Sequence, residues 1–193
     1  MSSAAVSMSP AGRPAAEGGG DELLFFNPGQ AATVDSLVSQ IIPSEDGSPG
    51  AHEARVTRYI DRGLAGFMRD LQGTYRSGLL ALQELAAGVC PTGFADADED
   101  TQREVVTRLS TLAVEEPGDF VGQFFRIVRE HTIQGFFGDP AYGGNEGLVG
   151  WRLVGFPGAQ FGYTTEQMRP GVDARAIPML TIRDLYARLG DTQ

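Results

Sequence analysis

The side chains that could move protons, attack carbonyls or hold metals are few in this chain, and their spacing does not suit those tasks. There are two histidines, His52 in "AHEAR" and His131 in "REHTIQ", and a single cysteine, Cys90, in "AAGVCPTG". A di-iron helical bundle needs a glutamate three residues before each histidine, and a zinc protease helix needs H-E-x-x-H. Neither spacing occurs. His52 reads as a solvated residue near a helix start. His131 follows Glu130 on a strongly apolar helix and reads as a hydrogen-bonded structural residue; a lone general base would need no motif. Cys90 has no neighbouring cation or histidine to lower its pKa, so it reads as an inert thiol.

The carboxylates lead to the same place. "DADED" at 96–100 opens like a calcium loop, but Thr101 and Thr107 stand where that loop requires glycine and glutamate. These acids read instead as charge at a helix N-terminus, with Thr101 and Glu104 as a capping box. Glu115 and Glu116, before Pro117, read as serving the start of the next helix. There is no G-x-S-x-G nucleophile elbow, and "GFPGAQFG" is not a dinucleotide fingerprint and follows no strand. All 15 cationic side chains are arginine. Without lysine there is no P-loop of the G-x-x-x-x-G-K type and no Schiff-base chemistry. The expectation is a chain with no catalytic, cofactor or metal residues of its own.

The elements that carry these residues follow a helical period. Val34, Leu37, Val38, Ile41 and Ile42 mark a first helix from Asn27, stopped by Pro43. Ser48-Pro49 reads as a cap and first residue of a second, long helix with the stripe Val56, Tyr59, Ile60, Leu64, Phe67 and Leu71. Gly63 and Gly66 lie inside it and would let another helix approach. A third helix covers about 75–87. A fourth follows the acids at 96–100, and a fifth runs over about 117–137. The fifth has the broadest apolar face (Phe120, Val121, Phe124, Phe125, Val128, Phe136, Phe137) and should be central. A last helix begins near Thr181, with Ile182, Leu185, Tyr186 and Leu189 as its stripe. No segment alternates with period two. The fold class is therefore all-α, five or six helices in one compact domain over residues 23–193. The Ser/Ala/Gly/Pro-rich residues 1–22 read as a disordered tail.

The chain has 193 residues and a net charge of −10, which repels phosphate backbones and anionic lipid. No nucleic-acid partner is expected. No run of 18 apolar residues exists, so no membrane span is expected. The start carries neither an apolar export stretch nor a twin-arginine pair, and the expected location is the cytoplasm.

One stretch resists the helical reading. "GDPAYGGNEGLVGWRLVGFPG", residues 138–158, is rich in glycine and holds Tyr142, Phe156 and the chain's only tryptophan, Trp151. Glycine allows unusual backbone angles and close approach, and aromatics of this kind are enriched at interfaces. The segment is either a surface that touches something or a plug for the protein's own core.

With this stretch on the page, the chain resembles subunit 3 of gluconate 2-dehydrogenase, the small-subunit family of flavin-dependent sugar and alcohol dehydrogenase complexes. The likeness is carried by "IIPSEDGSPGAHEARVTRYID", by "YRSGLLALQELA", and above all by "GFFGDPAYGGNEGLVGWRLVGFPG". The resemblance implies a helical accessory subunit without a catalytic centre. It implies a large flavoprotein partner of the glucose–methanol–choline (GMC) oxidoreductase type that holds FAD, with a cytochrome or another electron acceptor as a further partner. It also implies a role in maturing, solubilising or exporting that partner, although the twin-arginine signal of many members is not seen here. On this reading Tyr142, Gly143, Gly144, Asn145, Trp151 and Phe156 form or brace the partner surface. Two rivals stand beside it: a stand-alone module that stacks a sugar on Tyr142 and Trp151, and an enzyme that uses His131 as a lone base.

Overall fold

The computed structural model describes residues 22–190, so the expected tail lies almost wholly outside it. Among the described residues the fold is all-α, with seven helices and no strands. They are α1 (Pro28–Ile41), α2 (Val56–Ala65), α3 (Gln72–Ala86), α4 (Glu99–Glu115), α5 (Phe120–Phe137), α6 (Val149–Val154) and α7 (Ile182–Gly190). The one more than expected is α6, a short helix inside the glycine-aromatic stretch.

Helix α5 is the axis of the fold. It packs against α1, α2, α3, α4 and α6, because its apolar residues spread around most of its circumference. Phe124, Phe125, Val128 and Phe136 are all buried in a core shared with Val34, Leu37 and Val38 of α1 and Ile60 and Leu64 of α2. Phe120, which was expected on that face, is exposed at the helix start.

The starts and stops were set by single side chains. Asn27 caps α1: its side chain accepts from Gln30 N at 2.8 Å, and Gln30 Oε1 accepts from Asn27 N at 3.1 Å, a reciprocal capping box. For α4 the cap is Asp98, which accepts from Thr101 N at 2.9 Å, and not Thr101. Asp119 caps α5 through Gly122 N at 2.7 Å. Glu115 and Glu116 instead end α4.

The second helix differs most from its periodic pattern. Ser48 pairs with Glu45 in an isolated bridge and starts no helix. The helix opens after Arg55, which holds left-handed backbone angles (φ 54°, ψ 41°). It closes at Ala65, with Gly66 as its cap. The apolar stripe continues in sequence, but the chain turns through 66–71 and sends Phe67 into solvent at 65% exposure. Gly63 does not admit another helix; the Met68 side chain fills the space over it.

A buried carboxylate fastens the segment before α1. Asp61, on α2, is 1% exposed. Its oxygens accept from three successive amides: Leu24 N at 2.7 Å, Phe25 N at 3.0 Å and Phe26 N at 2.8 Å. Charge-assisted bonds of this kind replace the hydration that burial removes.

Candidate functional site

The glycine-aromatic stretch leaves α5 at Gly138 and folds straight back onto it. Asp139 starts the return. Its Oδ1 accepts from Ala141 N at 2.9 Å, and Pro140 takes the first position of a 3-10 turn over Pro140–Tyr142. The other oxygen, Oδ2, accepts from Ile182 N at 2.7 Å and so holds the start of α7 as well.

Gly143 then passes beside the Arg58 and Tyr59 backbone of α2, and Gly144 lies against Gly135 of α5. The left-handed angles at Gly143 (φ 102°) and Asn145 (φ 47°) make the bend. Gly144 is required by proximity: a Cβ there would sit 2.2 Å from Gly135 O. Gly150 meets the same limit, since its Cβ would sit 2.0 Å from Phe136 O. Between them Asn145 is fully buried, with its amide used at both ends. Nδ2 donates to Gly138 O at 2.9 Å, and Oδ1 accepts from Gly150 N at 2.9 Å. One amide side chain thus clamps the entry of the segment to the start of α6.

Trp151 completes this wedge. It is 3% exposed, and its Nε1 donates to Phe137 O at 2.7 Å, one of the carbonyls left open at the end of α5. Phe156 packs edge-on against it, ring centroids 5.2 Å apart at 85°, with its outer face exposed. Helix α2 holds the wedge from the other side. Arg58 Nε donates to Gly143 O at 2.8 Å, and its Nη2 pairs with Glu146 at 2.9 Å.

The six residues singled out in the sequence therefore separate. Gly143, Gly144, Asn145 and Trp151 are interior, the first, third and fourth hydrogen-bonded within the chain and Gly144 packed on Gly135. Tyr142 and Phe156 reach the surface. Tyr142 borders an apolar cleft of about 460 Å³ with Tyr59, Phe67, Ile133 and Phe137. Its ring lies 6.4 Å from that of Phe67. Phe67, Arg58 and Asp139 were not singled out in the sequence as site residues. Only Asp139 carried a signal, an acid placed directly before a proline at a turn start.

The residues with chemical potential are engaged elsewhere. His131 is buried, and its Nδ1 lies 2.8 Å from the Tyr75 hydroxyl, with the rings parallel to within 4°. Burial lowers the imidazole's pKa below its ordinary value, against a smaller opposing pull from Glu130. Burial raises the Tyr75 phenol far above the usual range. The two form a neutral pair inside the core. Cys90 is buried and its thiol is pushed up by burial, then by Asp98 and Glu104. His52 Nδ1 meets Asp35 at 2.7 Å on the surface. Among the described residues no group of three or more His, Cys, Asp or Glu side chains is arranged to hold a metal ion. No helix there is long and apolar enough to cross a membrane.

No curated protein and no solved structure matches the chain. A family model does, that of gluconate 2-dehydrogenase subunit 3, over residues 28–158. The match starts at the first residue of α1 and ends at the glycine that closes the wedge. It covers more than half of the chain, which thus belongs to the gluconate 2-dehydrogenase subunit 3 family.

Proposed function

We propose that this chain is a non-catalytic subunit that binds and stabilises a GMC-type flavoprotein dehydrogenase. FAD and the oxidation of a sugar or alcohol CH–OH group belong to that partner. The observation that carries the reading is the family match over 28–158, whose description is that of a dehydrogenase subunit. The wedge supports it by leaving Tyr142 and Phe156 at the surface while Asn145 and Trp151 bond the segment to the end of α5.

The sugar-stacking alternative loses half of its platform, because Trp151 lies in the core with its N–H bonded to Phe137 O. The lone-base alternative meets a histidine that is 7% exposed and bonded to Tyr75.

The test is co-expression of the tagged chain with the flavoprotein encoded beside it, followed by a visible spectrum of the purified material. The expected result is a stoichiometric second band with flavin absorption at about 450 nm, the cofactor's own signature. A colourless, folded, solitary chain overturns the proposal.

A further inference from the structure

The cleft beside Tyr142 is walled by aromatic rings that three different elements supply. Tyr59 stands on α2, and its hydroxyl donates to Gln134 Oε1 at 3.1 Å. Phe67 is sent outward where the chain leaves the helical path after Ala65. Its neighbour Met68 turns inward, with its side chain over Gly63 and its N–H donating to Gly63 O at 2.8 Å. Tyr142 ends the 3-10 turn that Asp139 caps.

These rings do not stack into one flat floor. The Tyr59 and Phe67 centroids are 6.2 Å apart with the rings inclined at 56°, and those of Phe67 and Tyr142 are 6.4 Å apart at 74°. They stand as walls around a space of about 460 Å³. Small-molecule pockets fall at roughly 300–1,000 Å³. Phe67 is 65% exposed and Tyr142 38%, so both rings are open to a ligand.

The charge around this space has one sign. Asp139 lines the cleft, and the amides of Ala141 and Ile182 hold its two oxygens in place. The far end of the wedge is tied down just before Ile182, where Gly158 and Leu180 form an isolated parallel bridge. There Ala159 N donates to Leu180 O at 2.6 Å, and Leu180 N donates to Pro157 O at 3.1 Å. Glu130 stands one turn before Gln134 and accepts from its Nε2 at 3.1 Å, which links Tyr59, Gln134 and Glu130 in one chain of bonds. The Tyr59 phenol is held above its ordinary value first by burial, then by the Tyr142 phenol and by Glu130, so both groups lie within electrostatic reach of it. No basic side chain lines the cleft. Arg58 and Arg62 approach Gly143 from α2 but lie outside the lining, and Arg58 is committed to Gly143 O and Glu146.

An aromatic ring is negative on its faces, and a cation within about 6 Å of the centroid is attracted to it. Inclined rings with carboxylates beside them suit a compact organic cation. A neutral apolar ligand would take water from the carboxylates with nothing to offset the cost. An anion would be repelled by them and by the net charge of −10.

We infer that the cleft between α2, the end of α5 and the start of the wedge binds the alkylated ammonium head of a small organic cation. Tyr59, Phe67 and Tyr142 surround the head, and Glu130 and Asp139 balance its charge.

The experiment titrates the isolated full chain with tetramethylammonium chloride at constant ionic strength and follows the methyl proton resonance. The neutral isostere tert-butyl alcohol is titrated in parallel. Stacking over ring faces shifts methyl protons upfield, and the shift should saturate with a roughly millimolar Kd. The alcohol should bind at least about fivefold more weakly, because it lacks the charge that the ring faces attract. Phe67→Leu and Tyr142→Leu keep apolar area but remove a ring, and each should weaken the cation about threefold to fivefold. Glu130→Gln, which can still accept from Gln134, should weaken it about twofold. Val114→Ser, on an exposed apolar residue of α4, should match the wild type. Far-UV circular dichroism checks that each variant folds. Equal binding of the alcohol and the cation overturns the inference in favour of a plain apolar pocket. Leucine variants that bind the cation as tightly as the wild type overturn it as well, as does a wild-type shift that fails to saturate below about 100 mM. The chain is tested without a partner, so each of these failures leaves the proposed function standing.

Discussion

Two adjoining segments, the wedge at 138–158 and the arm at 159–190, hold three aromatic residues each and behave in opposite ways. The wedge has seven glycines and the arm three. In the wedge, glycines meet the α5 backbone and the tryptophan fills a hole. In the arm, Gly162 and Gly171 have open space around the position of a Cβ, and the aromatics face solvent. The difference teaches that aromatic content does not by itself distinguish core from exposed surface. What distinguishes them is whether the small residues lie against another backbone.

The largest effect should come from emptying the wedge. Trp151→Ala should cost about 4 kcal/mol, as large-to-small core changes do, while Phe161→Ala in the arm should stay within about 0.5 kcal/mol. Equal losses in urea unfolding would break the comparison. Asn145→Ala leaves the buried Gly150 N and the part-buried Gly138 O without their partner and should cost about 3 kcal/mol. Asn145→Asp keeps the acceptor for Gly150 N and loses only the donor, which sharpens the test by showing which bond matters more.

Overfilling comes next. Gly150→Ala forces a Cβ onto Phe136 O and should cost about 2 kcal/mol or more, whereas Gly162→Ala should be near neutral. Thermal melts of the pair decide it.

The smallest effect separates the buried core from both segments through pH. His131 has a folded pKa below its ordinary value of 6.5, so the unfolded chain binds more protons there. Its contribution is fully present above about pH 6.5 and is lost as pH falls from there towards the folded value. The stability of the wild-type chain should therefore begin to fall below about pH 6.5. In His131→Leu that part of the slope should vanish, on a lower overall stability from the unpaired Tyr75 hydroxyl. An unchanged slope would place the titration elsewhere. Asp98 and Asp184, whose pKa values are lowered by bonds from Thr101 and Thr181, lose their contributions only as pH falls below the ordinary carboxylate range.

The helices were legible where burial follows one face. The apolar stripes of α1 and α5, and the class all-α, could be read from period alone. The turn after Ala65 could not, because Phe67 and Leu71 keep the helical period while the backbone leaves it. Caps came down to one hydrogen bond, and Asp98 and Asp119 won where Thr101 and Glu116 also had suitable oxygens. Asp61 was illegible for a different reason. Its partners are backbone amides 35 to 37 residues away, and no local pattern encodes them. The wedge was visible as a motif, but whether Trp151 faced solvent or core depended on Gly144 and Gly150 lying against carbonyls of α5.

The bridge between Gly158 and Leu180 has a consequence for how such a protein can change. It brings the two ends of the loop together, so the material between Ala159 and Met179 leaves and re-enters the body at one point. Lengthening a closed loop is cheap, about 0.6 kcal/mol per doubling. The exposed part of the loop, residues 161–176, should therefore tolerate insertion. New residues can be spliced in there without disturbing the helices, and a reporter tag or an alternative recognition sequence can be grafted at the same place.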